Sequence, residues 1–517
     1  MKRTAIALAL LAVAAAAFPP AADQSLTLQE CILAALKNNL NLAAEFLGPE
    51  IAASAVGQAR STFLPQLTFT TGAQKSNQAS FSWLDAAGQV TTDIADYQGT
   101  LTQRLPTGAT LSANLYSYKN ETNQSFQLIN PRYGSSLSFD FRQPLLRDAG
   151  FTMARRDILI AKNNLEMSEG QFKQALLDTI FDVETAYWNL VYSRENLNVQ
   201  REALRLARDL LAKNTKELEA GVIPPIDILN AKAEVAAREA DILQAEAQVK
   251  NDQDTLRTRL NLPRDKGETS PALIPADLPA TDPIPVNIED ARTKALANRP
   301  DLAVSQADMK TRDLNLRYAR NQTLPNLSFR ATFQSPGVSG TLIQYLDNDP
   351  LSGIVIGSVP GGSSAAFKDT FRFKYENWSV RLTLDLPLEN ILSRARIAQA
   401  RGESQQAALR LRDLEARAML EVEIAVRAVE TDFLRAKAYR AARELAEEKL
   451  AAEVKKLEAG LSTNYTVLQQ QRDFALAKTN ETRARIDYNL SLARLQRAMG
   501  TTLESKNIHM SDLPDRS

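Results

Sequence analysis

Histidine and cysteine are nearly missing from this 517-residue chain, which holds one of each. A catalytic histidine dyad, a zinc cluster and a disulfide framework all need more of them, so those chemistries are excluded. Excess charge of either sign is missing too: 61 Lys and Arg balance 61 Asp and Glu. The basic footprint of a nucleic-acid binder is therefore absent. Aromatics reach only 6%, while Ala, Leu, Arg, Glu and Gln crowd the second half, a composition of long helices rather than of a doubly wound sheet. Beyond the N-terminus no stretch reaches the roughly 18 uninterrupted apolar residues of a membrane helix. Contact with a membrane would then fall to the strands of a closed barrel, the other structure that satisfies its backbone in lipid. No nucleophile motif, metal-ligand spacing or phosphate-cradling glycine loop stands out, so the expectation is a protein without enzymatic activity, metal or cofactor.

At the N-terminus, Lys2 and Arg3 precede an apolar run over residues 5–18, followed by small residues and Pro19-Pro20. An Ala-rich run also suits a buried helix, but the basic start and small-residue end read as a secretory signal peptide over residues 1–22. Cys31 follows Leu28-Gln29-Glu30 rather than the small and apolar residues of a lipoprotein signal. It is expected to be a buried helix residue without a lipid anchor.

The chain repeats itself. At a shift of 260, Leu28, Leu36, Asn38, Leu42, Ala59-Arg60, Leu64-Pro65, Leu67 and Phe69 meet Ile288, Leu296, Asn298, Leu302, Ala319-Arg320, Leu324-Pro325, Leu327 and Phe329. At a shift of 239, residues 218–222 meet 457–461, Leu-Glu-Ala-Gly-Val against Leu-Glu-Ala-Gly-Leu. Two copies of one unit are expected, at 23–262 and 287–503, joined by a Pro-rich linker at 263–286 and followed by a tail at 504–517. So long a period is not that of a solenoid.

Each copy opens with an amphipathic helix, over 26–61 and 288–321, that Leu-Pro terminates. Strict alternation follows: Leu67, Phe69 and Thr71 against Gln66, Thr68 and Thr70, and Leu327, Phe329 and Ala331 against Asn326, Ser328 and Arg330. Partner strands alternate likewise at Leu137, Phe139 and Phe141, and at Val380, Leu382, Leu384 and Leu386. Period two with one polar side marks strands between two media. A soluble sandwich is the competing reading, although each copy has few strands to build one. Aromatics at or near strand ends, Phe69, Tyr97, Tyr116, Tyr118, Tyr133, Phe329, Phe371, Phe373, Tyr375 and Trp378, suit the girdles of a membrane barrel. The first copy carries an added hairpin, 97–105 and 109–118, turned at Pro106-Thr107-Gly108. The second carries a Gly/Ser/Pro-rich segment, 335–366, expected to be a surface or partly inserted loop.

Residues 152–221 then run without a proline. Leu176, Val183, Leu190, Leu197, Leu204, Leu211 and Leu218 recur every seven residues, which implies left-handed supercoiling against a neighbour. The second apolar position of each heptad is less uniform, Thr179 or Ile180, Ala186 or Tyr187, Ser193 or Arg194, Gln200 or Arg201, Ala207 and Asn214, so contact with neighbours on two sides and another face left wet are expected. The counterpart over 393–459 is weaker, with Arg443 in the heptad row. Each long helix ends at Ala-Gly, and a returning helix starts at Pro224-Pro225 or Ser462-Thr463-Asn464. Two helical hairpins with tips at Gly221 and Gly460 result; helices alone fit a soluble coiled-coil scaffold equally well.

Taken together the chain resembles the TolC-type outer membrane efflux family. The resemblance rests on Asn38-Asn39, Ala59-Arg60 with Leu64-Pro65-Gln66-Leu67, the copies Asn298-Arg299-Pro300 and Leu324-Pro325-Asn326-Leu327, and the two Ala-Gly tips. It implies a mainly α mixed fold with two internal repeats: a homotrimer whose transmembrane β-barrel continues into a long periplasmic α-helical coiled-coil barrel, each chain giving four strands and four helical staves. The added hairpin would enlarge the barrel from twelve strands to eighteen or pack outside it. It also implies an outer-membrane exit duct of a tripartite efflux or type I secretion system, surrounded by outer membrane lipid, opened by a periplasmic adaptor protein and powered by an inner-membrane transporter. A porin-like or structural coiled-coil trimer without a dedicated pump is the alternative. Adaptor docking maps onto Gly221, Val222, Ile223, Gly460, Leu461 and Ser462, and the pore aperture onto Asp227, Thr466 and Gln469. Where the family places ring acids, Thr466 and Gln469 are uncharged, as is Ser462 where it places a basic partner, so an aperture held by neutral hydrogen bonds and packing is expected.

Overall fold

A computed structural model describes residues 24–80, 85, 88–220, 224–262, 272–386 and 391–508. In chain order the elements are β1 (Gln24–Leu26), α1 (Leu28–Asn38), α2 (Leu40–Ser61), β2 (Gln66–Ala79), β3 (Gln89–Arg104), β4 (Thr110–Thr122), β5 (Ile129–Pro144), α3 (Phe151–Ala154), α4 (Arg156–Glu219) and α5 (Pro225–Leu260). Then follow β6 (Leu273–Pro275), α6 (Ile288–Asn298), α7 (Pro300–Asn321), β7 (Asn326–Tyr345), β8 (Val355–Val359), α8 (Ser363–Phe371), β9 (Asn377–Asp385), α9 (Ile391–Glu458), α10 (Asn464–Met499) and α11 (Thr502–Ser505). They fall into two compact units. One comprises residues up to 49, 168–304 and from 411 onward, the other 50–167 and 305–410.

The first unit is helical. α4 has 64 residues and α9 has 68, and each returns through a helix of 36, α5 or α10. At ~1.5 Å per residue α4 is about 96 Å of helix. The heptad row of α4 is its core stripe: Leu176, Val183 and Leu190 are fully buried. Ser193, Ala207 and Asn214 are buried as well, so the helix is covered on a second stripe. α1 is held by a Thr27–Glu30 capping box and sets Cys31, Ile32 and Ala35 against Leu176, Ile180, Leu256 and Leu260. Burial pushes the Cys31 thiol up to about 12, which leaves it an unreactive packing residue. α6 plays the same part in a second cluster, where Ala291 and Ala295 meet Val422, Val426, Val429 and Leu495. Arg443, the odd member of the α9 heptad row, is satisfied by Glu481 on α10 at 2.9 Å and by Glu447 at 2.7 Å. The described part of the Pro-rich segment is strapped to the helices: β6 runs parallel to β1, Tyr187 Oη donates to Asp277 at 2.9 Å, and Tyr488 Oη donates to the Asp282 carbonyl at 2.9 Å.

The second unit is built on one antiparallel sheet in the order β2-β3-β4-β5-β7. β9 pairs the first half of β7 and β8 its far end. The added hairpin, β3 and β4, therefore lies inside the sheet, bonded along its length to β2 and β5. Of the two placements left open for the hairpin, the sheet has the first: among the described residues six strands run through it beside the short β8, where the resemblance alone implied four. Register puts Leu67, Leu101, Ala113, Phe139, Phe333 and Trp378 in one row across all six, and Thr68, Thr100, Asn114, Ser138, Gln334 and Asn377 in the next. At this end of the sheet one face is thus apolar and the other polar. Leu67, Phe69 and Trp378 remain 75, 70 and 75% exposed on the apolar face.

The expected loop at 335–366 is mostly ordered structure. β7 continues to Tyr345, and β8 and α8 follow. Its serines and glycines mark a docking patch: Ser335 Oγ donates to the Thr370 carbonyl at 2.8 Å, Ser339 Oγ donates to the Gly362 carbonyl at 2.8 Å, and Ser135 and Thr370 hydroxyls meet at 2.5 Å. A Cβ at Gly337 would collide with the Ala366 carbonyl. Small residues on the apolar side of β5 and β7 let α8 lie directly on the sheet. Phe371, Phe373 and Tyr375 belong to this helix and its exit, not to a strand.

Candidate functional site: the hairpin tips

The second tip is fully described. α9 ends at Glu458 and the chain turns at Gly460, whose φ of 72° is left-handed backbone that glycine adopts without strain, and nothing lies within 4 Å of a Cβ built there. Leu461 projects into the open at 80% exposure. The Ser462 hydroxyl donates to the Glu453 carboxylate, and this bond, with the neighbouring Lys456, holds Glu453 below the usual carboxylate range. Thr463 caps α10 by accepting from the Thr466 amide at 3.3 Å, and the two hydroxyls lie 2.9 Å apart. Gln469 is exposed one turn further on. At the first tip Gly221, Val222 and Ile223 lie outside the described residues.

Asp227 opens α5, stabilised by its position in the first turn. The only partner of its carboxylate among the described residues is the Asn464 amide at 3.5 Å, the limit of a hydrogen bond. So Asp227 and the second tip meet through Asn464, whereas Thr466 bonds within its own cap. Asn464 is buried with its Oδ1 unpartnered, and Asn214 is fully buried with neither amide atom partnered among the described residues. Each unmade buried bond costs about 1–3 kcal/mol. The apolar support beneath is small: Leu210, Val467 and Leu468, with Leu450, Val454 and Leu457 alongside. This end is therefore held less firmly than the main core.

The strongest tie was not among the expected residues. Glu234, 3% exposed, accepts from Arg238 Nε at 2.8 Å on its own helix and from Arg472 Nε at 2.9 Å on α10. Burial works to raise this carboxyl, but the Arg472 hydrogen bond and the charge and hydrogen bond of Arg238 outweigh it and hold it below its ordinary range. The same contact holds the Arg472 guanidinium above its ordinary value. A signal was available in the sequence: Glu234 stands seven residues after Asp227, on the same face of α5. Among the described residues no group of three or more His, Cys, Asp or Glu could hold a metal ion. No helix among them is long and apolar enough to cross a membrane.

The family model described as outer membrane efflux protein matches residues 103–262 and 291–501. A pyoverdine export outer membrane protein of Pseudomonas putida, OpmQ, is 27% identical over 199 residues, which are 38% of this chain and 40% of that protein. The match thus spans about two fifths of that relative's length. Among solved structures, the CmeC outer membrane channel of Campylobacter jejuni superposes with a TM-score of 0.61 at 18% identity over 94% of this chain and 90% of that one. The open-state MtrE outer membrane channel of Neisseria gonorrhoeae does so with a TM-score of 0.59 at 19% identity, over 92% and 89%. At these identities the likeness is one of fold: that of channels joining a β-barrel to a helical barrel.

Proposed function

The chain belongs to the outer membrane efflux protein family, and from that premise we propose that three copies stand in the outer membrane as the exit duct of a tripartite efflux or type I secretion system. The duct does no chemistry of its own. A periplasmic adaptor docks on the hairpin tips and an inner-membrane transporter supplies the energy. The observation that carries this reading is the six-strand sheet, apolar on one face, polar on the other, and unpaired along the outer edges of β2 and β9 among the described residues. In lipid such edges demand partners. Three copies of six strands, eighteen in all, supply them by joining β2 of one copy to β9 of the next. The two long hairpins support a helical tunnel, and their matching lengths, 64 and 68 residues out and 36 back in each, support the duplication into 23–262 and 287–503.

Docking is assigned to Gly221, Val222 and Ile223 and to Gly460, Leu461 and Ser462. Asp227, Thr466 and Gln469 line the aperture, which the Glu234–Arg472 tie helps to keep closed. Leu461→Glu tests the docking: an exposed side chain is exchanged without backbone strain, so trimers are expected to form normally while cross-linking to the adaptor is lost. Undiminished cross-linking refutes the assignment. A deletion strain that becomes sensitive to toxic compounds irrespective of the adaptor supports a porin-like trimer instead.

A further inference from the structure

Four arginines occupy a single register row near the helix-proximal end of the sheet. Arg104 on β3 is opposite Thr110, which is opposite Arg142 on β5, then Arg330 on β7, then Arg381 on β9. All four are exposed. Their register places them on the polar face, with Thr102, Ser112, Asp140, Thr332 and Ser379 in the next row of that face. One carboxylate serves them: Asp140 pairs with Arg330 at 2.5 Å. Arg104, Arg142 and Arg381 have no ion pair among the described residues. Elsewhere on this face the strands carry Arg132 against Asp96 and Asp385, so arginine prevails.

Arg142, Arg330 and Arg381 are immediate cross-strand neighbours, at about 4.5–5.5 Å between backbones, and like charges so placed destabilise a sheet. A sheet needing only solubility there would be served by the Thr, Ser and Asn that fill its other polar rows. Anchoring to lipid headgroups is excluded by the register, since the apolar face is the one that meets lipid. We propose that this row is an anion-recruiting belt inside the duct, and that the cargo it passes carries carboxylate, phosphate or similar oxyanion groups. The inference rests on the conduit reading, in which the polar face lines the lumen. Arginine suits the task because its planar fork engages oxyanions bidentately and never loses its charge, and a like-charged constriction raises the local concentration of counter-ions.

The test uses the purified full-length trimer in planar bilayers under a potassium chloride gradient. Exchanging Arg104, Arg142 and Arg381 together for Gln is expected to lower the chloride-to-potassium permeability ratio by about threefold or more, and to shorten the current blocks produced by citrate. The corresponding triple exchange for Lys is expected to keep the ratio within about twofold of wild type. If the triple Gln protein does not assemble, each single Gln variant must move the ratio in the same direction. An unchanged ratio in assembled variants overturns the belt and leaves the conduit standing. Absence of any ion passage, in wild type and in an Arg472→Gln background alike, overturns the conduit itself.

Discussion

Two buried carboxylates respond to acid in opposite senses. Glu234 is held below its ordinary range by Arg472 and Arg238, so its contribution is complete above the unfolded-chain value near ~4.3 and is lost as pH falls through the lower folded value. The tie between α5 and α10 is therefore expected to loosen below about pH 4. Arg472→Gln mimics that loosening at neutral pH, costing about 1 kcal/mol because Arg238 still covers the carboxylate, and is expected to raise single-channel conductance. Neutralising Asp227, held by one long hydrogen bond, should raise it only modestly; a larger rise than for Arg472→Gln would reverse the two roles. Glu184 is the converse. It is 1% exposed, and burial raises its carboxyl more than the nearby Lys506 lowers it. Keeping it charged costs stability that is recovered on protonation, so Glu184→Gln is expected to raise Tm at pH 7.5 and to make no difference near pH 4.

At the scale of elements, the helices were legible because a period of seven sustained over α4 has one physical meaning. Leu176→Ala tests that stripe: the exchange is expected to lower stability by about 2–5 kcal/mol, read as a shift in thermal unfolding of the helical unit. The strands were equally legible, since Leu67 and Phe69 alternate with threonines whichever neighbours they have. Composition misled at 335–366, where Ser335, Gly337 and Ser339 read as loop residues. They are small because α8 lies on them, a reason that exists only across the sheet and is invisible along the chain. Gly337→Leu should therefore expose α8 to protease while leaving β7 paired. The Glu234–Arg472 tie escaped for the same reason: its partners are 238 residues apart, and although Glu234 meets Asp473 at the shift of 239, Arg472 meets Ala233.

At the scale of the whole molecule, the number of strands sets the width of the exit. Barrel diameter grows roughly linearly with strand number, so in the proposed three-copy barrel the added hairpin widens the wall by about half relative to a twelve-stranded one. Because β3 and β4 go out and back as a pair, deleting residues 89–122 leaves β2 and β5 antiparallel with their apolar faces aligned. The shortened chain is expected to form trimers with four strands per copy and a barrel about a third narrower, visible by electron cryomicroscopy; failure to trimerise would show that the hairpin is needed for closure. The outer edges of β2 and β9 are unpaired among the described residues. If copies join as proposed, a copy without its neighbours presents two open hydrogen-bonding ladders and an oily wall to water, which is the profile of an aggregating intermediate. On the proposed assembly single subunits need shielding in transit, and depleting envelope chaperones is expected to raise the precipitated fraction of this protein.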